Sequence, residues 1–174
     1  MKLKIFGTVL AFAIPVAACA DGHGNHAITE AEVEAAQKAW GDGIVKIGRS
    51  EDPRADAIAH IDQFYAYDEG EVLFKPTLAA EDQFRGDDKE ALSYFIGQDM
   101  KEDKGFALAP YSKVRWENEG IITDKDSALA MGNYYFTNSD GEEVKVEYSF
   151  GYMKNNEGEV KINLHHSSLP YTPE

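Results

Sequence analysis

Residues 144–152 alternate with a period of two. Val144, Val146, Tyr148, Phe150 and Tyr152 fall on one side, and Lys145 and Glu147 on the other. Successive side chains of a strand point to opposite faces, so this is a long strand with one buried face. Asn155–Gly158 supplies a turn, after which Val160, Ile162, Leu164, His166 and Ser168 share a face of a second strand. Two such strands in succession require an antiparallel sheet with one apolar side, and another layer must cover that side.

The preceding segments supply both. Lys113–Ile122, with Val114 and Trp116 in alternation, and Ser127–Thr137 read as two more strands, and Asn138-Ser139-Asp140-Gly141 turns the chain into the strand at Val144. Upstream lie three helices. Thr29 caps the first, Glu32 completes a capping box, and Ile28 with Val33 forms a hydrophobic staple. Val33, Ala36, Trp40, Ile44 and Ile47 continue at helical spacing, with Gly41 and Gly43 weakening the middle. Asp52 and Pro53 start a second helix carrying Ile58, Ile61, Phe64 and Tyr65. Val72–Ala79 reads as a strand interrupted by Pro76. Asp87 then caps a third helix, with Glu90 completing its box and Leu92, Tyr94 and Phe95 on it before Gly97. Helices first and a strand meander after predict an α+β fold, a curved antiparallel sheet packed against N-terminal helices. The core is expected where Val144, Val146, Tyr148, Phe150, Val160, Ile162 and Leu164 meet helices led by Val33, Ile44, Ile58 and Phe64.

The first twenty residues stand apart. Lys2 and Lys4 precede an apolar run from Ile5 to Ala18, the pattern of an export signal and too short for a span. Ala18-Cys19-Ala20 fits a small-x-small cleavage site, and Val16-Ala17-Ala18-Cys19 fits a lipobox that would leave Cys19 acylated. Residues 1–20 are therefore expected to be removed or lipid-anchored, 21–28 to be a leader, and 29–174 one domain, periplasmic or secreted. Losing Lys2 and Lys4 leaves 15 basic side chains against 31 acidic ones. Such a charge repels nucleic acid and anionic lipid, so neither is an expected partner, apart from a membrane reached through a lipid on Cys19. Cys19 is the only cysteine, which leaves the domain no disulfide.

On the last strand, His166 and Ser168 continue the face of Ile162 and Leu164. Polar groups take over there from an apolar wall, which suits a core opening into a pocket. A histidine and a serine satisfied within the core would give the same pattern, and periodicity leaves both open. The ending Ile162-Asn163-Leu164-His165-His166-Ser167-Ser168-Leu169-Pro170 resembles the terminal strand of the iota-class carbonic anhydrases. These are relatives of the calcium/calmodulin-dependent kinase type II association domain, within the nuclear-transport-factor-2-like, SnoaL-like cone folds. Leu73-Phe74-Lys75-Pro76-Thr77, Gln83-Phe84-Arg85 and Ser93-Tyr94-Phe95 are similar to the same proteins. The resemblance runs from about Thr29 to Tyr171. It implies hydration of carbon dioxide to bicarbonate by a lyase whose pocket is lined by hydroxyl and imidazole groups, without metal or other cofactor. By position in the motifs its threonine, tyrosine and serine fall on Thr77, Tyr94 and Ser168, with His166 beside them as proton acceptor. A register shifted by one puts Ser167 there instead. Asn163 departs from the pattern, standing where some relatives carry a basic residue.

The histidines agree with a metal-free expectation. A catalytic zinc needs three imidazole, thiolate or carboxylate ligands around one ion. His165 and His166 are strand neighbours aimed apart, His23 and His26 lie in the leader, and His60 sits within a helix as a structural residue. A homodimer is expected. The competing reading is a non-catalytic domain of the association type that binds a small ligand or mediates assembly, which would not need Thr77, Tyr94 and His166 together.

Overall fold

The computed structural model describes residues 27–173. The expected signal segment and most of the leader lie outside the described residues. Helices α1 (Glu30–Ile47) and α2 (Pro53–Phe64) come first, then strand β1 (Leu73–Lys75) and helix α3 (Asp88–Ile96). A 3-10 turn at Phe106–Leu108 leads into β2 (Lys113–Thr123), β3 (Ser127–Thr137), β4 (Glu143–Lys154) and β5 (Val160–Ser168). The sheet runs β1-β5-β4-β3-β2, antiparallel except for β1, which pairs parallel with β5. It is the expected α+β architecture.

Local chemistry sets the helix starts. The Glu32 backbone N–H donates to Thr29 Oγ1 at 3.2 Å, and the Thr29 N–H donates to the Glu32 carboxylate at 2.8 Å. Ile28 and Val33 are buried beside that box. At α3, Asp87 accepts from the Glu90 N–H, whereas the Glu90 carboxylate reaches Gly86 N–H, so the second half of that box is displaced by one residue. The β1 strand is shorter than Val72–Ala79, because Pro76 has no N–H to continue the ladder.

Trp40 is the centre of the core. Its ring lies within 6.5 Å, centroid to centroid, of His60, Trp116, Tyr134, Phe136, Phe150 and His165. On β4 the inward face is Val146, Tyr148, Phe150 and Tyr152. Val144, near the start of β4, is 49% exposed, and Ile58 lies 40% exposed at the edge of the α2 face, where Ala57, His60, Ile61 and Phe64 are buried instead.

The last strand departs from simple alternation. Gly151 and Tyr152 are adjacent on β4, yet their partners Leu164 and Ile162 are two apart on β5. Asn163 is therefore an extra residue, a β-bulge, and a bulge inverts the facing of all that follows. Ile162 points inward, but beyond Asn163 the inward residues are His165 and Ser167, 3% and 2% exposed. His166 is exposed and Ser168 and Leu164 are half-buried. The expected common face of Ile162, Leu164, His166 and Ser168 is thus corrected to the one-residue shift. Lys161, expected outside, is buried, with its ammonium on the Asp62 and Gln63 carbonyls at the end of α2.

Gly43 in α1 has a packing purpose. A Cβ there would lie 2.2 Å from His60 Nδ1. Alanine normally favours a helix over glycine by about 1 kcal/mol. Here Gly43→Ala is expected to destabilise by about 1–3 kcal/mol through overpacking. Adding His60→Ala should abolish that penalty, with Gly43→Ala now neutral or stabilising on that background, as read from urea midpoints. Full additivity of the two substitutions would disprove the packing explanation.

Candidate active site

The bulge delivers His165 into an aromatic enclosure. Its ring stacks on Phe74 at 4.5 Å and lies 4.0 Å from Phe150. Nδ1 is 2.8 Å from the Tyr65 hydroxyl, which in turn accepts from Trp40 Nε1 at 3.1 Å. Nε2 faces the Tyr134 hydroxyl at 3.5 Å. Burial first, and the neighbouring His166 and His60 after it, hold the His165 imidazole well below its ordinary range. The ring is therefore neutral at neutral pH.

Next along the same face, Ser167 accepts a hydrogen bond from the Thr77 hydroxyl at 2.9 Å. Thr77 follows Pro76 at the end of β1, and the parallel pairing of β1 with β5 carries it alongside Ser167. Burial raises the Tyr134 hydroxyl of β3 above the usual phenol range, while Ser167 and, less strongly, Thr77 pull it the other way. Tyr94 of α3 is also buried and raised by desolvation, against a backbone hydrogen bond from Leu78 that pulls the other way. It borders a cleft of about 450 Å³ that Leu78, Phe106, Leu108 and Tyr111 also line. The face therefore presents neutral hydroxyls and a neutral imidazole in apolar surroundings. Such groups can orient a small neutral molecule and donate to oxygens on which negative charge develops.

The segment carrying Thr77 has little regular structure but is tied down. Glu102 accepts from the backbone N–H groups of Ala80, Glu81 and Asp82, bonds that hold its carboxylate down to about 2. Arg85 is wholly buried, with Nη2 on Asp103 at 2.6 Å and Nη1 on the Asp82 carbonyl at 2.6 Å. Asp103 also accepts from Ser93 Oγ at 2.7 Å, next to Tyr94.

Of the residues picked from sequence, Thr77 lies on this face and Tyr94 borders the cleft beside it, while His165 and Ser167 face inward in place of His166 and Ser168. The outward Ser168 hydroxyl bonds to Glu147 at 3.3 Å, and His166 borders two grooves on the far side of the sheet. Tyr65, Tyr134, Arg85 and Asp103 were not picked out. Tyr134 lay on an alternating strand and could have been marked as a buried hydroxyl. Nothing in the residue pattern pointed Tyr65 at the last strand. His60 is in the core, as a structural residue would be, and its ring nitrogens make no hydrogen bond among the described residues. Among those residues no group of three or more His, Cys, Asp or Glu is placed to hold a metal ion.

Residues 31–169 match the family described as metal-independent carbonic anhydrase. The chain is 44% identical over 156 residues to a metal-independent carbonic anhydrase of Nostoc sp. (strain PCC 7120), covering 84% of this chain and 76% of that protein. A crystal structure of a cyanobacterial iota-carbonic anhydrase complexed with bicarbonate superposes with a TM-score of 0.81 at 42% identity, covering 84% of this chain and 95% of that one. The calcium/calmodulin-dependent kinase II association domain from Xanthomonas campestris superposes at 0.57 with 23% identity, covering 93% and 98%. That last likeness shows the shared cone fold alone.

The two buried histidines set an acid limit. Burial lowers His60 from the ordinary imidazole value of 6.5 to about 3, and holds His165 well below that ordinary value too. The unfolded chain therefore binds protons that the native state excludes once pH falls below about 6.5, so stability declines from there downward. By pH 5 the loss from His60 is about 2 kcal/mol, and His165 adds to it in the same direction. Urea midpoints between pH 7.5 and 5 should fall accordingly, and His60→Phe should remove about 2 kcal/mol of the decline at pH 5. An unchanged pH dependence in His60→Phe would contradict its neutral burial.

Proposed function

This chain belongs to the metal-independent carbonic anhydrase family, and we propose that it hydrates carbon dioxide to bicarbonate on the face formed by Thr77, Ser167, Tyr94, Tyr134 and His165. The observation that carries the reading is the Thr77–Ser167 hydroxyl pair at 2.9 Å, set beside an inward, neutral His165. Carbon dioxide is small, apolar and uncharged, so it enters such a site without a large desolvation penalty. A water oxygen forms the new bond to carbon, and the hydroxyls donate to the oxygens that take up the charge. The proton released passes to solvent base, since His165 is too weakly basic to keep it. Arg85, the buried cation nearby, is neutralised by Asp103, so bicarbonate meets no free positive charge and leaves readily.

His166 is not the proton acceptor in this reading. The metal-free character follows from the family and from the donor set, in which His165 and His166 point to opposite faces. We propose further that the domain is exported, by the charge and apolar run of residues 1–18 with Cys19 as the lipid candidate, and that it works as a homodimer.

Two measurements test these readings. Stopped-flow hydration should fall by about 10²–10³ in Ser167→Ala and at least about tenfold in Thr77→Val and Tyr94→Phe. Ser168→Ala and His166→Ala should stay within about twofold, and chelators should leave the wild type unaffected. Zinc-restored activity after chelation would overturn the metal-free mechanism. Loss in Ser168→Ala with none in Ser167→Ala would overturn the face. No hydration by the wild type at all would leave the binding-module reading. For export, the intact mass of protein recovered outside the cytoplasm should lack residues 1–18 or 1–20, with a diacylglycerol mass on Cys19 in the first case; an intact Met1 would refute it.

A further inference from the structure

We infer that Tyr65, held by Trp40, is a positioning residue that fixes which nitrogen of His165 carries the proton, so that the ring directs its Nε2–H at the Tyr134 hydroxyl on the face of the Thr77–Ser167 pair. The direction of the network begins at Trp40, because an indole N–H can only donate. It is wholly buried and points at the Tyr65 oxygen, 3.1 Å away. The Tyr65 oxygen thus accepts there, and its own hydrogen goes to its other neighbour, His165 Nδ1 at 2.8 Å. Were Nδ1 protonated, it too would donate to Tyr65, and the Tyr65 hydrogen would be stranded in a buried site. Leaving a buried donor unsatisfied disfavours that arrangement by roughly tenfold or more in population.

With Nδ1 accepting, the neutral ring carries its hydrogen on Nε2, which faces the Tyr134 oxygen at 3.5 Å. The Tyr134 oxygen is then the acceptor of the ring's hydrogen, and its own hydrogen is left for a partner other than His165. On the same face Thr77 donates to Ser167. The Ser167 oxygen accepts that bond, and its own hydrogen is left to point at a bound molecule. A donor there stabilises the developing bicarbonate oxygen; an acceptor would not. The six residues come from five places in the fold: Trp40 from α1, Tyr65 from the end of α2, His165 and Ser167 from β5, Tyr134 from β3 and Thr77 from the loop after β1.

The functional half of this inference rests on the proposed hydration activity, whereas the tautomer does not. Long-range proton–nitrogen NMR of histidine-labelled protein, with the His165 signals assigned by their loss in His165→Gln, should show Nδ1 unprotonated and Nε2 protonated. Tyr65→Phe keeps the ring and removes only the hydroxyl. It should shift the Nδ1 signal toward a tautomer mixture and lower kcat about tenfold while KM changes less than about twofold. A wild-type His165 protonated at Nδ1 would overturn the inference. So would a Tyr65→Phe protein with the wild-type tautomer and the wild-type kcat. If the wild type hydrates no carbon dioxide, the function reading fails, and the NMR arm alone still decides the tautomer.

Discussion

Where β4 and β5 pair, one extra residue decides what the interior contains. Ile162 opposes Tyr152 on the inward face, Asn163 is bulged, and Leu164 opposes Gly151 on the outward face. The bulge requires its glycine: a Cβ on Gly151 would come within 2.9 Å of both Asn163 Oδ1 and Leu164 Cβ. On one side of it the chain is tied to α2, since the Ala66 N–H donates to the Ile162 carbonyl at 3.0 Å and Tyr65 bridges to Ile162. On the other side it turns His165 and Ser167 inward. The same irregularity thus sets the Tyr65 hydroxyl against an imidazole and a serine against Thr77. A strand without it would offer Leu164, His166 and Ser168 to the interior, with no partner from α2.

The electrostatics of the interior contrast with those of the surface. The chain carries a net charge of −14, yet the groups around His165 are uncharged in their native forms. Desolvation drives this in both directions, lowering imidazoles and raising phenols, because the low-dielectric interior penalises whichever form is charged. A site of that kind suits a neutral substrate and a product that must not be retained. Catalysis must then come from oriented donors whose geometry is fixed before the reaction, since no ion supplies a field. The aromatic packing about Trp40 keeps those donors from relaxing.

Most of the fold was legible because its signals are local. The capping box at Thr29, the Asp52–Pro53 start, the turns at Asn138–Gly141 and Asn155–Gly158 and the alternation of β4 each depend on a few neighbouring residues. The errors lie where distant contacts overrule local pattern. Val144 alternates correctly but lies near the start of β4, where it is half exposed. Gly43 reads as a weak point in a helix, yet it exists to admit the His60 ring from another helix. On β5 the periodic count was sound up to Ile162 and failed after it, because a bulge is a property of a strand pair and Asn163 alone gives no sign of one. Thr77 and Tyr94 were reached by motif resemblance, which carries information about distant contacts that periodicity lacks. Tyr65 and Tyr134 were reached by neither.

The least regular part of the site is held by the most polar part of the interior. Thr77 belongs to a segment with no helix or strand beyond Pro76, so its hydroxyl would wander if only the backbone restrained it. Three successive N–H groups on Glu102 fix the stretch after it, and the Arg85–Asp103 pair fixes the stretch after that. Removing one member of a buried pair leaves an uncompensated charge, so the pair is all-or-none. Arg85 also lies 5.9 Å from the Tyr94 ring, and Asp103 holds Ser93 beside it. The latch therefore registers the Thr77 loop against α3, two walls that share no backbone pairing. An error of about 1 Å at a reacting centre costs about 10² in rate. That sensitivity gives a physical reason for an arginine buried to zero exposure in a protein whose remaining site groups are neutral: the charge is spent on placing Thr77 and Tyr94 and is closed off from the product by Asp103.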